Sequence, residues 1–333
     1  MPTCVVQNLP YRADPAGYFS AVAHAPGAVL LDAGRPTAQR GRYDLISAWP
    51  LAELAPLHDE AANDFLQRLR SSLSSLGPAE APADNPLPFV GGLIGYLSYD
   101  FGRRLEHLPS LAVDDLGLPD AQLGLYAWAL VSDHLLGTSQ LVFHPSLADD
   151  ERQRLIRLFQ DTTTTTTGDF RLLAPMVGDL EPEQYKTAFD QVQRYIQAGD
   201  CYQINLTQRF RAPCQGDPWR AYQALRQACP TPFSGYQQLA DGSTLLSFSP
   251  ERFIRVSQGQ VETRPIKGTR PRASDPAEDQ RNAQELLHSP KDRSENLMIV
   301  DLLRNDLGRT CEIGSVKVPE LFSLESYPNV HHL

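Results

Sequence analysis

Lys267 lies in the segment Pro265-Ile266-Lys267-Gly268-Thr269, where a proline fixes a backbone torsion before the amine and a glycine permits a close turn after it. An ordinary lysine is a solvated surface cation. This one is held on a stiffened strand end, a placement suited to an amine that must meet a substrate. A second group joins it through the predicted local fold. The runs Ser243 to Pro250, Arg252 to Ser257 and Val261 to Ile266, with Gly259 between the last two, read as strand, strand, turn, strand. A three-residue loop centred on Gly259 sets Glu251 directly across a hairpin from Lys267. A two- or four-residue loop shifts the partner by one and puts the two side chains on opposite faces. Facing each other, the acid and amine are either a salt bridge, stabilising by about 0 to 1 kcal/mol at an exposed edge, or a pair that takes part in chemistry. A third group is Asp292 with Glu295. Ser289 is a good helix N-cap and Pro290 suits the first turn, so the two carboxylates, three apart, project from one helical face. Hard cations such as Mg²⁺ take carboxylate oxygens of this kind. The helix macrodipole also favours acids there, so the spacing alone leaves both readings open.

The elements that must position these groups are legible as periodicities. Beyond Ser289 the apolar residues run through Leu297, Met298, Val300, Leu302 and Leu303, and Gly308 can end the helix. Another helical stripe comprises Tyr185, Phe189, Val192, Tyr195 and Ile196, opened by Pro182 and closed by Gly199. From Cys201 to Phe210 the residues Tyr202, Ile204 and Leu206 alternate with Gln203, Asn205 and Thr207, which predicts a strand with one polar face. Six consecutive threonines, Thr162 to Thr167, separate two charged helical patterns and read as a linker or long loop. In the first half, short apolar runs (Ala28 to Leu31, Gly92 to Tyr96, Leu123 to Val131) alternate with proline and glycine, as in an antiparallel sheet. Leu51 to Leu76 and Asp149 to Phe159 carry helical spacing. The fold class is therefore α+β.

Composition limits the partners. With 333 residues, 41% hydrophobic and 21% charged, the chain can bury one large core or two domains. A formal charge of -10 without a basic stripe argues against nucleic acid. Five scattered cysteines, with no paired spacing, suit reduced thiols and a cytoplasmic setting. No stretch of 18 apolar residues suggests a membrane span.

The segments YQINLTQRF from Tyr202, SPERF from Ser249, TRPIKGTRPR from Thr263, SENLMIVDLLRNDLGR from Ser294 and GSVKVPELFSLESYPNVHHL at the end resemble the chorismate-utilising enzymes. In the first half, VLLDAG from Val29 and GGLIGYLSYDFGRRLE from Gly91 extend the resemblance to essentially the whole chain. Lysine inside PIKGT is similar to the aminodeoxychorismate synthase branch, where the anthranilate synthase branch usually has alanine. The resemblance implies a large antiparallel β-sandwich with helices packed outside, and further chain beyond the HHL motif in family members. It implies an N-terminal α+β region over 1–165, a linker or loop over 166–178 and a chorismate-binding catalytic region over 179–333. The implied reaction replaces the C4 hydroxyl of chorismate with ammonia, supplied by a glutamine amidotransferase partner, on the way to p-aminobenzoate and folate. Lys267 is then the nucleophile, Glu251 the general acid and His332 the histidine beside the ring hydroxyl. Gly268 and Thr269 contact substrate, and Glu295 with Asp292 holds Mg²⁺. Leu31, Asp32, Ala33 and Tyr43, with Pro232 and Phe233, resemble a region that holds tryptophan. Ala33 stands where serine is common there, so core packing is an equal reading. An anthranilate-forming enzyme and a non-catalytic binding module are the alternatives.

Overall fold

Seven antiparallel strands form the largest sheet, in the order Val5–Leu9, Thr138–Phe143, Trp128–Asp133, Tyr43–Ser47, Val29–Asp32, Phe233–Gln238 and Thr244–Ser249. The computed structural model to which they belong describes residues 1–38, 41–160 and 168–333. Their apolar runs fill the core: Leu30, Ile46, Leu130, Leu141 and Phe143 are fully buried, together with Phe159 of the Asp149–Gln160 helix. The run Leu123 to Val131, read as one strand, divides at Ala127. Ala121–Tyr126 lies in a separate sheet between Ala52–Leu54 and Gly92–Leu97, while Trp128–Asp133 joins the large one. The helical spacing over Leu51 to Leu76 is realised only from Ala62 to Leu76, because Pro56 removes a donor and biases the residue before it away from the helical region.

The chain forms two compact units, Met1–Thr165 with Tyr222–Leu333, and Thr166–Ala221. The second crossing falls inside the Pro218–Ala228 helix, where the sequence carries no linker signal. The threonine run Thr162 to Thr167 lies outside the described residues. Beyond it, the stretch read as linker or loop carries two short strands, Phe170–Leu172 and Val177–Gly178, paired with Cys214–Gly216 and Phe210–Arg211.

The helix expected after Pro182 spans Pro182–Ala198, ends at Gly199 in the left-handed region and buries none of its residues. The strand expected over Cys201 to Phe210 is not formed: only Phe210–Arg211 is β, and 201–209 has no ladder. Alternation specifies a half-buried face, but a strand also needs a neighbour to take its backbone hydrogen bonds. The helix predicted from Ser289 runs Pro290–Gly308, with the Ser289 hydroxyl accepting from the Asp292 amide.

Candidate active site

A three-stranded sheet at the chain's C-terminal end assembles the site. Thr269–Pro271 pairs with Val330–His332, which pairs in turn with Glu325–Ser326. Thr269 lies opposite His332, and His332 opposite Glu325; Arg270, His331 and Ser326 form the adjacent row. Side chains alternate across a sheet, so the two neighbouring histidines part company. His331 turns to the Pro276–His288 helix, where Nε2 meets Asp279 Oδ1 at 3.0 Å and Nδ1 meets the Ser326 hydroxyl at 2.8 Å. Asp279 is also gripped through two 2.8 Å bonds by Arg272, which holds its carboxyl far below the usual carboxylate range. His332 shares a 2.9 Å hydrogen bond with Thr269 Oγ1 and has the Tyr327 ring edge-on, centroids 5.5 Å apart. Burial holds the His332 pKa below the ordinary histidine value, against upward pushes from the Gly268 carbonyl and the charges of Glu325 and Glu251.

Lys267 is tied to this sheet by its backbone. Its amide donates to the Leu333 carbonyl at 2.8 Å, and the buried Asn296 amide, from the first turns of the Pro290–Gly308 helix, donates to the same oxygen at 3.2 Å. Gly268 follows at φ +76°, so close to the helix that an added Cβ would stand 2.8 Å from Leu286 Cδ1 and 2.9 Å from Asp292 Cβ. A glycine is required both for the torsion and for the space. The Lys267 side chain is half-buried and forms no ion pair among the described residues.

The predicted register between Glu251 and Lys267 is corrected. The hairpin Arg255–Ser257 with Gln260–Glu262 closes with a two-residue turn, Gln258 at φ 51° and Gly259 at φ 74°, pairing Arg255 with Glu262. Two positive torsions make the tight turn whose twist matches the strands. Gln258 hid it, because non-glycine residues seldom adopt positive φ. Extended outward, this register sets Glu251 opposite Ile266 rather than Lys267, and the Ile266 amide donates to Glu251 Oε1 at 3.1 Å. The two-residue turn thus takes Glu251 out of register with Lys267, and its carboxylate meets the Ile266 backbone rather than the amine. The Glu251 charge is felt at His332.

The carboxylates expected to hold a metal differ in availability. Asp292 is buried, and its Oδ2 pairs with the Arg270 guanidinium at 3.2 Å. Glu295 is half-buried and has no ion-pair partner among the described residues. No cluster of three acidic, histidine or cysteine side chains able to hold a metal occurs among the described residues. Because Mg²⁺ needs only one or two protein carboxylates beside substrate oxygens and water, Glu295 fits such an ion, whereas Asp292 is committed to Arg270.

The residues read as a tryptophan region come together in the large sheet, where Asp32 pairs with Ser234, next to Pro232 and Phe233. Asp32 is buried and fully occupied: Arg226 grips both oxygens at 2.7 and 3.1 Å, Tyr222 donates at 3.0 Å and the Gly34 amide at 2.7 Å. The Ala33 amide donates to Asp44, whose carboxyl burial raises and which meets His134 at 2.8 Å. Leu31 and Phe233 are exposed, Pro232 is buried, and the half-buried Tyr43 ring lies under the Arg42 guanidinium at 4.8 Å. Arg226 was not singled out from the sequence, since nothing local marks a cation whose partner lies far away in the chain.

A family model described as chorismate binding enzyme matches residues 28–333. The chain belongs to that family. It is 44% identical over 341 residues to aminodeoxychorismate synthase component 1 of Salmonella typhimurium, covering 98% of this chain and 73% of that protein. Against the protein of the same name from Escherichia coli the identity is 43% over 342 residues, covering 98% and 74%. Anthranilate synthase component 1 of Thermus thermophilus is 39% identical over 270 residues, 77% of this chain and 56% of that one. In fold, the chain resembles anthranilate synthase component I from Streptococcus pneumoniae with a TM-score of 0.72 at 24% identity, over 88% of this chain and 68% of the other. The mixture of helices with antiparallel sheets agrees with the α+β fold expected from the sequence.

Proposed function

We propose that the chain aminates chorismate at C4, giving 4-amino-4-deoxychorismate from ammonia delivered by a glutamine amidotransferase component. The observation that carries this reading is the strand pairing that sets Thr269 against His332 and ties the Lys267 backbone to Leu333, so that the segment bearing a lysine with no ion pair among the described residues runs beside a buried histidine. Support also comes from the relatives called component 1, a name that implies a second component.

The Lys267 amine attacks C2 of the ring. The C1–C2 and C5–C6 double-bond electrons shift around the ring, and the C4–O bond breaks. Glu251 gives the departing hydroxyl its proton, which leaves as water. Ammonia then forms a bond to C4, the double bonds return, the C2–N bond to Lys267 breaks with its electron pair reverting to the amine, and the new C4 ammonium gives up one proton, which restores the Glu251 acid. His332 and Thr269 hold the ring hydroxyl region, and the turn at Gly268 lets backbone approach the substrate. Glu295 would hold Mg²⁺, which supplies positive charge to the substrate carboxylate. The pairing of Thr269 with His332 brings the histidine beside the segment that carries Lys267, and proximity of this kind is what such displacement depends on.

The test is product analysis with ammonium chloride, Mg²⁺ and chorismate. A product that yields p-aminobenzoate only after a lyase is added is expected. Direct release of fluorescent anthranilate would favour the other branch, to which the Thermus thermophilus relative belongs. No turnover together with no chorismate binding by calorimetry would leave a non-catalytic module.

A further inference from the structure

Tyr327 lies in the Ser326-Tyr327-Pro328-Asn329-Val330 turn between two strands of the site, and its amide closes that turn on the Val330 carbonyl at 2.8 Å. It is buried, and three features of its side chain converge on the reacting groups. The ring edge packs on His332 at 5.5 Å. The hydroxyl donates to Glu325 Oε2 at 2.7 Å, and Glu325 is the cross-strand partner of His332. The same hydroxyl stands 3.4 Å from the carbonyl of Pro250, the residue before Glu251. One aromatic side chain thus touches the histidine, the carboxylate that faces the histidine, and the backbone that carries the acid.

We infer that Tyr327 is a positioning residue: it fixes the His332 ring against Thr269 and restrains the Glu325 carboxylate that sets the charge facing that ring. The inference rests on the reading of His332 and Glu251 as groups of the reaction. A phenylalanine would keep the edge contact but remove the hydroxyl that donates to Glu325 at 2.7 Å, leaving that carboxylate less screened toward His332. The groups acting on His332 are Glu325 and Glu251 as charges, and Thr269 Oγ1 and the Gly268 carbonyl as hydrogen-bond partners. Arg264, 3.5 Å from Glu325, offsets part of the Glu325 charge.

The experiment follows the His332 ring by NMR in chain labelled with ¹⁵N-histidine, assigned with His332→Gln, alongside ammonia-dependent turnover. In Tyr327→Phe the His332 midpoint is expected to rise by roughly half a pH unit, because a carboxylate that has lost the tyrosine hydroxyl favours the charged ring more strongly. In Glu325→Gln it should fall instead, with His144 unmoved in both. Turnover in Tyr327→Phe should drop about tenfold in kcat with KM for chorismate little changed, the pattern of a contact that matters in the transition state. An unchanged His332 midpoint in Tyr327→Phe overturns the inference, whether or not the variant unfolds at a lower temperature, since a purely structural tyrosine would behave that way. Wild-type protein that makes no aminated product would refute the functional reading instead, and the NMR arm would still decide the role of Tyr327.

Discussion

Lys267 and Glu251 are a cation and an acid whose local sequence marks them, yet their relation is not the facing pair that the hairpin rule predicted. The two-residue turn at Gln258 and Gly259 displaces Glu251 by one position, and the Ile266 amide then holds its carboxylate. Proton donation to a leaving hydroxyl from there predicts that Glu251→Gln lowers kcat by about 10² to 10⁴ while chorismate still binds, checked by steady-state kinetics beside calorimetry. Histidine burial gives a second residue-scale prediction. His332 and His144 both hold pKa values below the ordinary 6.5, first because burial disfavours the charged ring. The unfolded chain therefore binds protons that the folded chain refuses. Their contribution to stability is full above about pH 6.5 and diminishes as the pH falls from there toward the folded values. Thermal unfolding should thus show a falling midpoint between neutral and mildly acidic pH, with a shallower slope in His144→Gln.

At the scale of elements, helix starts and stops were the most legible feature, because caps are chosen by local chemistry. Ser289 with Pro290 opens one helix, and Pro182 and Gly199 bound another. Strands were less so. The alternation in Cys201 to Phe210 finds no ladder over 201–209, whereas Thr269–Pro271 and Val330–His332, each only three residues, make the sheet that builds the site. Short strands carry almost no periodic signal, and their pairing is a long-range event. The contact between the Gly268 turn and the Pro290–Gly308 helix is tight enough to test. Gly268→Ala would force a Cβ to within 2.9 Å of the Asp292 Cβ at a positive φ. Destabilisation of about 1 to 3 kcal/mol is expected in chemical denaturation, with turnover lost under conditions where the variant stays folded.

The whole molecule is held partly by ion pairs that bridge distant stretches of chain. Arg226 joins the buried Asp32 to Asp14, 2.8 Å from the same guanidinium, and bonds the Arg35 carbonyl at 2.8 Å. Replacing Arg226 by alanine strands the Asp32 charge and should cost about 3 to 5 kcal/mol in denaturant unfolding. The double variant Arg226→Met with Asp32→Asn should recover part of that loss, since no buried charge remains unpaired. No helix of the described residues is long and apolar enough to cross a membrane. By itself, the sequence determined which residue types could do chemistry, the capped helix boundaries at Ser289, Pro182 and Gly199, the α+β character and the resemblance to chorismate enzymes, because propensity, capping and motif identity are encoded over a few neighbouring residues. Only the tertiary structure decided that Asp292 is paired with Arg270, that Glu251 stands beside Ile266, and that Tyr327 touches the histidine. Each of these depends on strand register or on a partner tens of residues away. A one-residue slip in register reverses every side chain, so no local pattern could have fixed them.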